Sequence, residues 1–145
     1  MKIPKYVTVE EVKRVCKELN VSDWTQKKAP KVSLKEAKII LAEVSKGKME
    51  IDPKAFQSGL EVELEHGLQY KDANVTNNHP LLTGLIVLAH LKESLDYYTL
   101  LDVAELEGDL LKAVVRGQSK KIKVYYQRLA EAKIALRKAE LSRLA

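Results

Sequence analysis

The chain of 145 residues has a single cysteine, Cys16, and that alone rules out an internal disulfide and the two- or four-cysteine metal frameworks. Six glycines and four prolines are too few for a disordered tail or a fibrous repeat. No apolar run approaches the ~20 residues of a membrane-spanning helix, and Met1-Lys2-Ile3-Pro4 leads into mixed charge and not into a signal-peptide core. The expectation is a cytoplasmic protein without a membrane partner. What the chain does have is 46% hydrophobic and 31% charged residues, the balance of a single folded domain.

Charge is distributed by segment. Residues 1–47 carry 11 Lys and Arg against 6 Asp and Glu, residues 48–118 carry 6 against 12, and residues 119–145 carry 8 against 2. Basic ends around an acidic middle can neutralise one another within a molecule or between copies, so the high pI is a poor argument for nucleic acid.

The pattern is helical throughout, with no strand run and no internal repeat. Thr8-Val9-Glu10-Glu11 and Ser33-Leu34-Lys35-Glu36 both read as capping boxes, opening helices near Val9–Leu19 and from Leu34 to a stop at Gly47. Between them Trp24 sits in a polar loop, where it is expected to pack on the body; Cys16 falls on the apolar face of the first helix. Asp52-Pro53 supplies a cap and a first-turn proline for a third helix to His66, with Gly67 expected as its left-handed terminator. Leu81–Leu95 is apolar on almost every side and is expected to be the most buried helix. Tyr97–Val115 and a segment capped by Ser119 and running to about Leu144 complete the set, the last with a seam of Ile122, Tyr125, Leu129, Ala132, Leu136 and Ala139. The fold class predicted is all-α: one compact bundle of five to six helices with a basic amphipathic C-terminal helix.

One polar cluster bears on chemistry. Glu61, Glu63, Glu65 and His66 crowd into less than two turns, and His90 and Glu93 repeat the Glu–His spacing of three on the next helix, with Asp96 and Tyr97 just beyond. Carboxylates and imidazoles three apart on facing helices are how bundles build divalent-metal sites, which makes Glu63, His66, His90 and Glu93 the candidate ligands and Glu61, Glu65, Asp96 and Tyr97 the supporting polar network. If the third and fourth helices form a hairpin, however, His66 and His90 stand roughly 15 Å apart at 1.5 Å per residue. They meet only if the connection folds back alongside. Without that convergence the same residues are a structural network. No nucleophile is paired with a base and an orienting third group, so an enzyme is not expected.

Several strings in this region, Phe56-Gln57-Ser58-Gly59-Leu60-Glu61-Val62-Glu63-Leu64-Glu65-His66-Gly67, Asn74-Val75-Thr76-Asn77, Leu82-Thr83-Gly84, Ala89-His90-Leu91 and Asp96-Tyr97-Tyr98, resemble a small-domain family of unknown function found in phage and bacterial genomes. The resemblance spans about residues 55–101. It implies a phage-related or bacterial origin and a shared role for Glu63, Glu65, His66, His90 and the Asp96-Tyr97-Tyr98 turn. The chain departs from the family pattern at Asn78-His79 and at Leu85.

The leading functional expectation is a non-enzymatic association module, a homo-oligomer or a structural (virion) or accessory component of a phage-like element, assembling through its segregated charges. The alternative is a divalent-metal domain using the Glu/His cluster. A weaker one is nucleic-acid binding through Lys120, Lys121, Lys123, Arg128, Lys133, Arg137, Lys138 and Arg143 of the last helix.

Overall fold

A computed structural model of the chain describes residues 7–47 and 49–144 and contains six α-helices and one short 3₁₀ turn. The helices are α1 (Val9–Glu18), α2 (Leu34–Ser45), α3 (Pro53–Gln69), α4 (Pro80–Glu93), α5 (Tyr97–Val115) and α6 (Ser119–Leu144), with the 3₁₀ turn at Trp24–Gln26. They divide into two units, residues 1–93 and 94–145. The division falls between α4 and α5, and not at the changes of charge near residues 47 and 118.

In the first unit, α2, α3 and α4 pack on one another, and α1 joins the 3₁₀ turn and α4. The core is Val12, Trp24, Ala37, Ile40, Phe56, Leu60, Leu64, Val87 and Leu91, each with at most 1% of its surface exposed. Trp24 is fully buried and Lys27 lies 5.7 Å from its ring, so the loop expected to seat this side chain does so. Cys16 is buried as its place on the apolar face requires, and burial pushes its thiol pKa up. The fourth helix is less uniformly enclosed than its composition suggests: Thr83, Gly84, Val87, Leu88 and Leu91 face inward, while Leu85 and Ala89 face solvent.

The two N-terminal signals behave differently. At α2 the capping box is complete, with Ser33 Oγ accepting from the Glu36 amide at 3.2 Å and Glu36 Oε2 accepting from Ser33 N at 3.0 Å. At α1 Thr8 accepts from the Glu11 amide, but the Glu11 carboxylate turns to Arg14 (2.6 and 2.8 Å) instead of reaching back. A charged partner on the next turn outcompetes a neutral amide.

Glu36 also holds the preceding loop, since its Oε1 accepts from Ser22 N at 3.0 Å and Ser22 Oγ at 2.5 Å. Partial burial raises its pKa, yet the hydrogen bonds from Ser22 and Ser33 outweigh that and hold the carboxyl at about 2, against an ordinary 4.5. Because the folded-state value is depressed, the stabilisation is complete above pH 4.5 and is lost as the pH falls toward 2. After allowance for solvent at a half-exposed site, the expected contribution is about 1–2 kcal/mol. Urea unfolding of the wild type and Glu36→Gln at several acid pH values checks this: the difference between them should be largest at neutral pH and vanish at the acid end.

The second unit is a helical hairpin. Glu107 pairs with Lys133 at 2.7 Å and Asp96 with Arg143, so residue numbers rise along α5 as they fall along α6 and the helices run antiparallel. Leu106, Leu129 and Ala132 form the buried contact with Val103, Leu110 and Tyr125 around it, and Ala113 and Leu136 are buried as well. The predicted α6 seam therefore faces α5. The chain turns at Gly117 in the left-handed region, and the Gln118 carbonyl accepts from Lys121 and Ile122, so Ser119 opens the first turn of α6 and does not cap it.

Candidate functional site

The third helix does not stop at Gly67 but continues to Gln69, and this difference builds the site. Gly67 is inside the helix with its bare Cα against the 70–79 loop: an added Cβ would stand 2.0 Å from Asn78 Oδ1 and 3.0 Å from Asn74 Nδ2. Asn74 donates to the Gly67 carbonyl at 3.1 Å and to Asn78 Oδ1 at 2.9 Å, and Asn77 and Asn78 both adopt the left-handed conformation that asparagine tolerates. The glycine is needed for close approach and not for a left-handed cap. His79 then closes the loop. It is buried, its Nδ1 accepts from the Leu82 amide at 3.3 Å at the start of α4, and burial holds its pKa below the ordinary 6.5, keeping the ring a neutral acceptor.

The connection thus folds back alongside α3, the condition under which the two histidines meet. Glu63 is the meeting point: His66 Nδ1 lies 3.7 Å from its Oε2 and His90 Nε2 lies 3.6 Å from its Oε1. The carboxylate is 15% exposed, the imidazoles 46% and 31%. Each ring approaches a different oxygen, and among the described residues no group of three or more His, Cys, Asp or Glu side chains is arranged to hold a metal ion. As placed, the Glu63 carboxylate stands between a ring of α3 and a ring of α4. The other predicted members lie elsewhere. Glu93 is exposed at the end of α4, and Glu65 is exposed on α3. Glu61 is half-buried and accepts from Val32 N at 3.1 Å, beside Gln57, which donates to Val32 O at 2.7 Å. Asp96 is held by Arg143 within the hairpin, where Tyr97 and Tyr98 meet edge to face with centroids 5.1 Å apart. Beside the cluster a cleft of about 210 Å³ is lined by Glu63, His66, Tyr70, Asn74, Thr76 and Ile86. That is below the ~300 Å³ at which small-molecule pockets begin.

The second feature is the outer surface of the hairpin. With 3.6 residues per turn, Leu106, Ala113, Val103 and Leu110 occupy the side of α5 that meets α6, while Leu100, Ala104, Gly108, Leu111 and Val115 recur on the opposite side at steps of three and four. Leu100 is 45% exposed, Leu111 65% and Val115 78%. The signal was present as an excess of apolar positions in Tyr97–Val115, more than one contact face needs.

Three of the eight basic residues of α6 are in ion pairs. Lys133 and Arg143 are paired with Glu107 and Asp96 of α5, and Arg137 with Glu140 at 2.5 Å. At 100° per residue, Lys120, Lys121, Lys123, Arg128 and Lys138 fall within an arc of about 160° whose middle is turned away from the Leu129–Leu136 seam. Among the described residues no helix is long and apolar enough to cross a membrane.

No curated protein and no solved structure matches the chain. Residues 12–107, more than half of its length, match a protein family, covering all but the start of α1, the whole of α2–α4 and the opening turns of α5, and leaving α6 outside. The chain belongs to the family described as "Protein of unknown function (DUF5661)".

Proposed function

We propose that the chain is a non-enzymatic association module that assembles through its C-terminal hairpin. The observation that carries this reading is that α5 has two apolar faces and α6 covers one of them. A hairpin of two helices has one seam and no second interior, and a contiguous apolar stripe left in water is the usual mark of a protein–protein surface. The charges support the same reading: residues 97–115 carry four carboxylates and one lysine, residues 119–144 eight Lys and Arg against two Glu, so neighbouring hairpins meet with complementary edges. The Glu63 cluster serves this module as a structural tie between α3 and α4.

Sedimentation velocity and native mass spectrometry at low and moderate salt, before and after chelator, test the reading. The expected result is a metal-free oligomer whose dissociation constant rises by about tenfold or more in Leu111→Asp, a central contact of the stripe, with helicity unchanged. A monomer at every concentration and salt would overturn it. So would a mass excess of one or two metal ions per chain whose removal unfolds the protein, which would move function to Glu63, His66 and His90.

A further inference from the structure

The cations that α6 does not share with α5 point to a partner of opposite charge. We infer that the outer face of α6 binds the phosphate backbone of double-stranded DNA, with Lys120, Lys121, Lys123, Arg128 and Lys138 as the contacts. None of the five has an ion-pair partner among the described residues, unlike Lys133, Arg137 and Arg143. All five are exposed, and their arc of about 160° is centred away from the seam that packs on α5. From Ala113 to Ala130 the chain has five Lys and Arg and no Asp or Glu, so the turn end of the hairpin is basic throughout. Such a face fits a polyanion.

Spacing and side-chain type select the duplex. At 1.5 Å per residue the cations stand in three steps along the helix, Lys120 to Lys123, Arg128 and Lys138, with Lys120 about 12 Å from Arg128 and Arg128 about 15 Å from Lys138. The major groove of B-form DNA is about 12 Å wide and admits an α-helix, so successive steps reach phosphates on its opposite walls. A single strand is held by stacking its bases on aromatic rings, and the arc has none: Tyr125 packs beside Leu106 and Leu129, and Tyr126 falls outside the arc. An anionic membrane also attracts basic helices. It requires a wide apolar face on the same helix to enter the lipid, and on α6 that face, with Leu129, Ala132 and Leu136, is already buried. Four of the five cations are lysines, which meet phosphate as point charges, so binding is expected to be independent of base sequence.

One residue works against the contact. Glu131 lies near the middle of the arc, between Arg128 and Lys138, and Gln127 Nε2 donates to its Oε1 at 3.1 Å. Its carboxylate repels a phosphate seated on the arc, so removing that charge strengthens binding. DNA on this face leaves the α5 stripe open, since the stripe lies on the side of α5 opposite α6, and a monomeric chain is expected to bind as well.

The test uses the full chain and fluorescence anisotropy with a DNA duplex of about 25 base pairs over a range of salt concentrations, with circular dichroism as the control for folding. Five neutralised phosphates give an expected slope of log K against log salt of about −4.5. Lys121→Glu and Arg128→Glu should each raise the Kd about tenfold or more, whereas Lys38→Glu, the same change of charge on an exposed site of α2, should leave it within about twofold. Glu131→Gln should lower the Kd about threefold, a gain that misfolding does not produce. Absence of binding at low salt would overturn the inference. An equal loss in Lys38→Glu, or no gain in Glu131→Gln, would show that net charge and not this face is responsible, and would overturn it too. Tighter binding to single-stranded DNA, to an RNA duplex or to phosphatidylserine vesicles than to the DNA duplex would overturn the choice of partner.

Discussion

Replacing Gly84 with valine should lower the unfolding free energy by about 3 kcal/mol, the upper end of the range for forcing bulk into a packed core. Gly84 is where α4 lies against α2: a Cβ there would stand 2.7 Å from Ile40 Cγ2, 3.3 Å from Val44 Cγ1 and 3.5 Å from Phe56 Cζ. Carbon atoms are at ease near 3.5–4.0 Å, so even one methyl group must push Ile40, itself fully buried, or separate the helices. Gly84→Ala gains about 1 kcal/mol of helix propensity against the same collision and should therefore cost less. Denaturant unfolding measures both. Pairing Gly84→Val with Ile40→Ala should give less than the sum of the two losses, since the second change removes the atom that the first one strikes.

Trp24→Ala should cost more, about 3–5 kcal/mol, because the indole is fully buried among the packed side chains of the first unit and its removal leaves a cavity that helices cannot fill. Its N–H is buried without a hydrogen-bond partner among the described residues. Leaving such a donor unpaired costs about 1–3 kcal/mol, which the protein carries in exchange for the ring's volume. Trp24→Phe gives up some of that volume but also discards the unpaired donor, so it should fall within about 1–2 kcal/mol of the wild type. Urea unfolding followed by circular dichroism separates the two variants; equal losses would mean that the donor has a partner such as an ordered water.

The helices were legible where their signals are local. Ser33 with Glu36, Asp52 before Pro53 and the three-and-four seam of α6 each involve residues within a turn or two, and each stands where its spacing places it. Gly67 was not legible in the same way. A glycine after a histidine looks like a helix stop, and only the asparagines seven and eleven residues later make it a point of close approach. The site shows the same limit. Glu63 and His66 share a face by spacing, whereas the arrival of His90 at the same carboxylate depends on a connection folding back, which periodicity does not encode. For α5 the sequence showed how many positions are apolar but not which of them α6 would cover. That decision belongs to the pairing of Leu106 with Leu129 and Ala132, a contact made at long range.

The pairing of Asp96 with Arg143 brings the first turn of α5 beside the last turn of α6. Tension applied between these two ends would therefore act across the hairpin and not along it. Contacts would separate in succession, beginning with that ion pair, continuing through Leu136 and Ala132, and reaching the Gly117 turn last. A structure loaded this way opens as a zipper and yields gradually, whereas the same two helices pulled lengthwise would have to break all their contacts together.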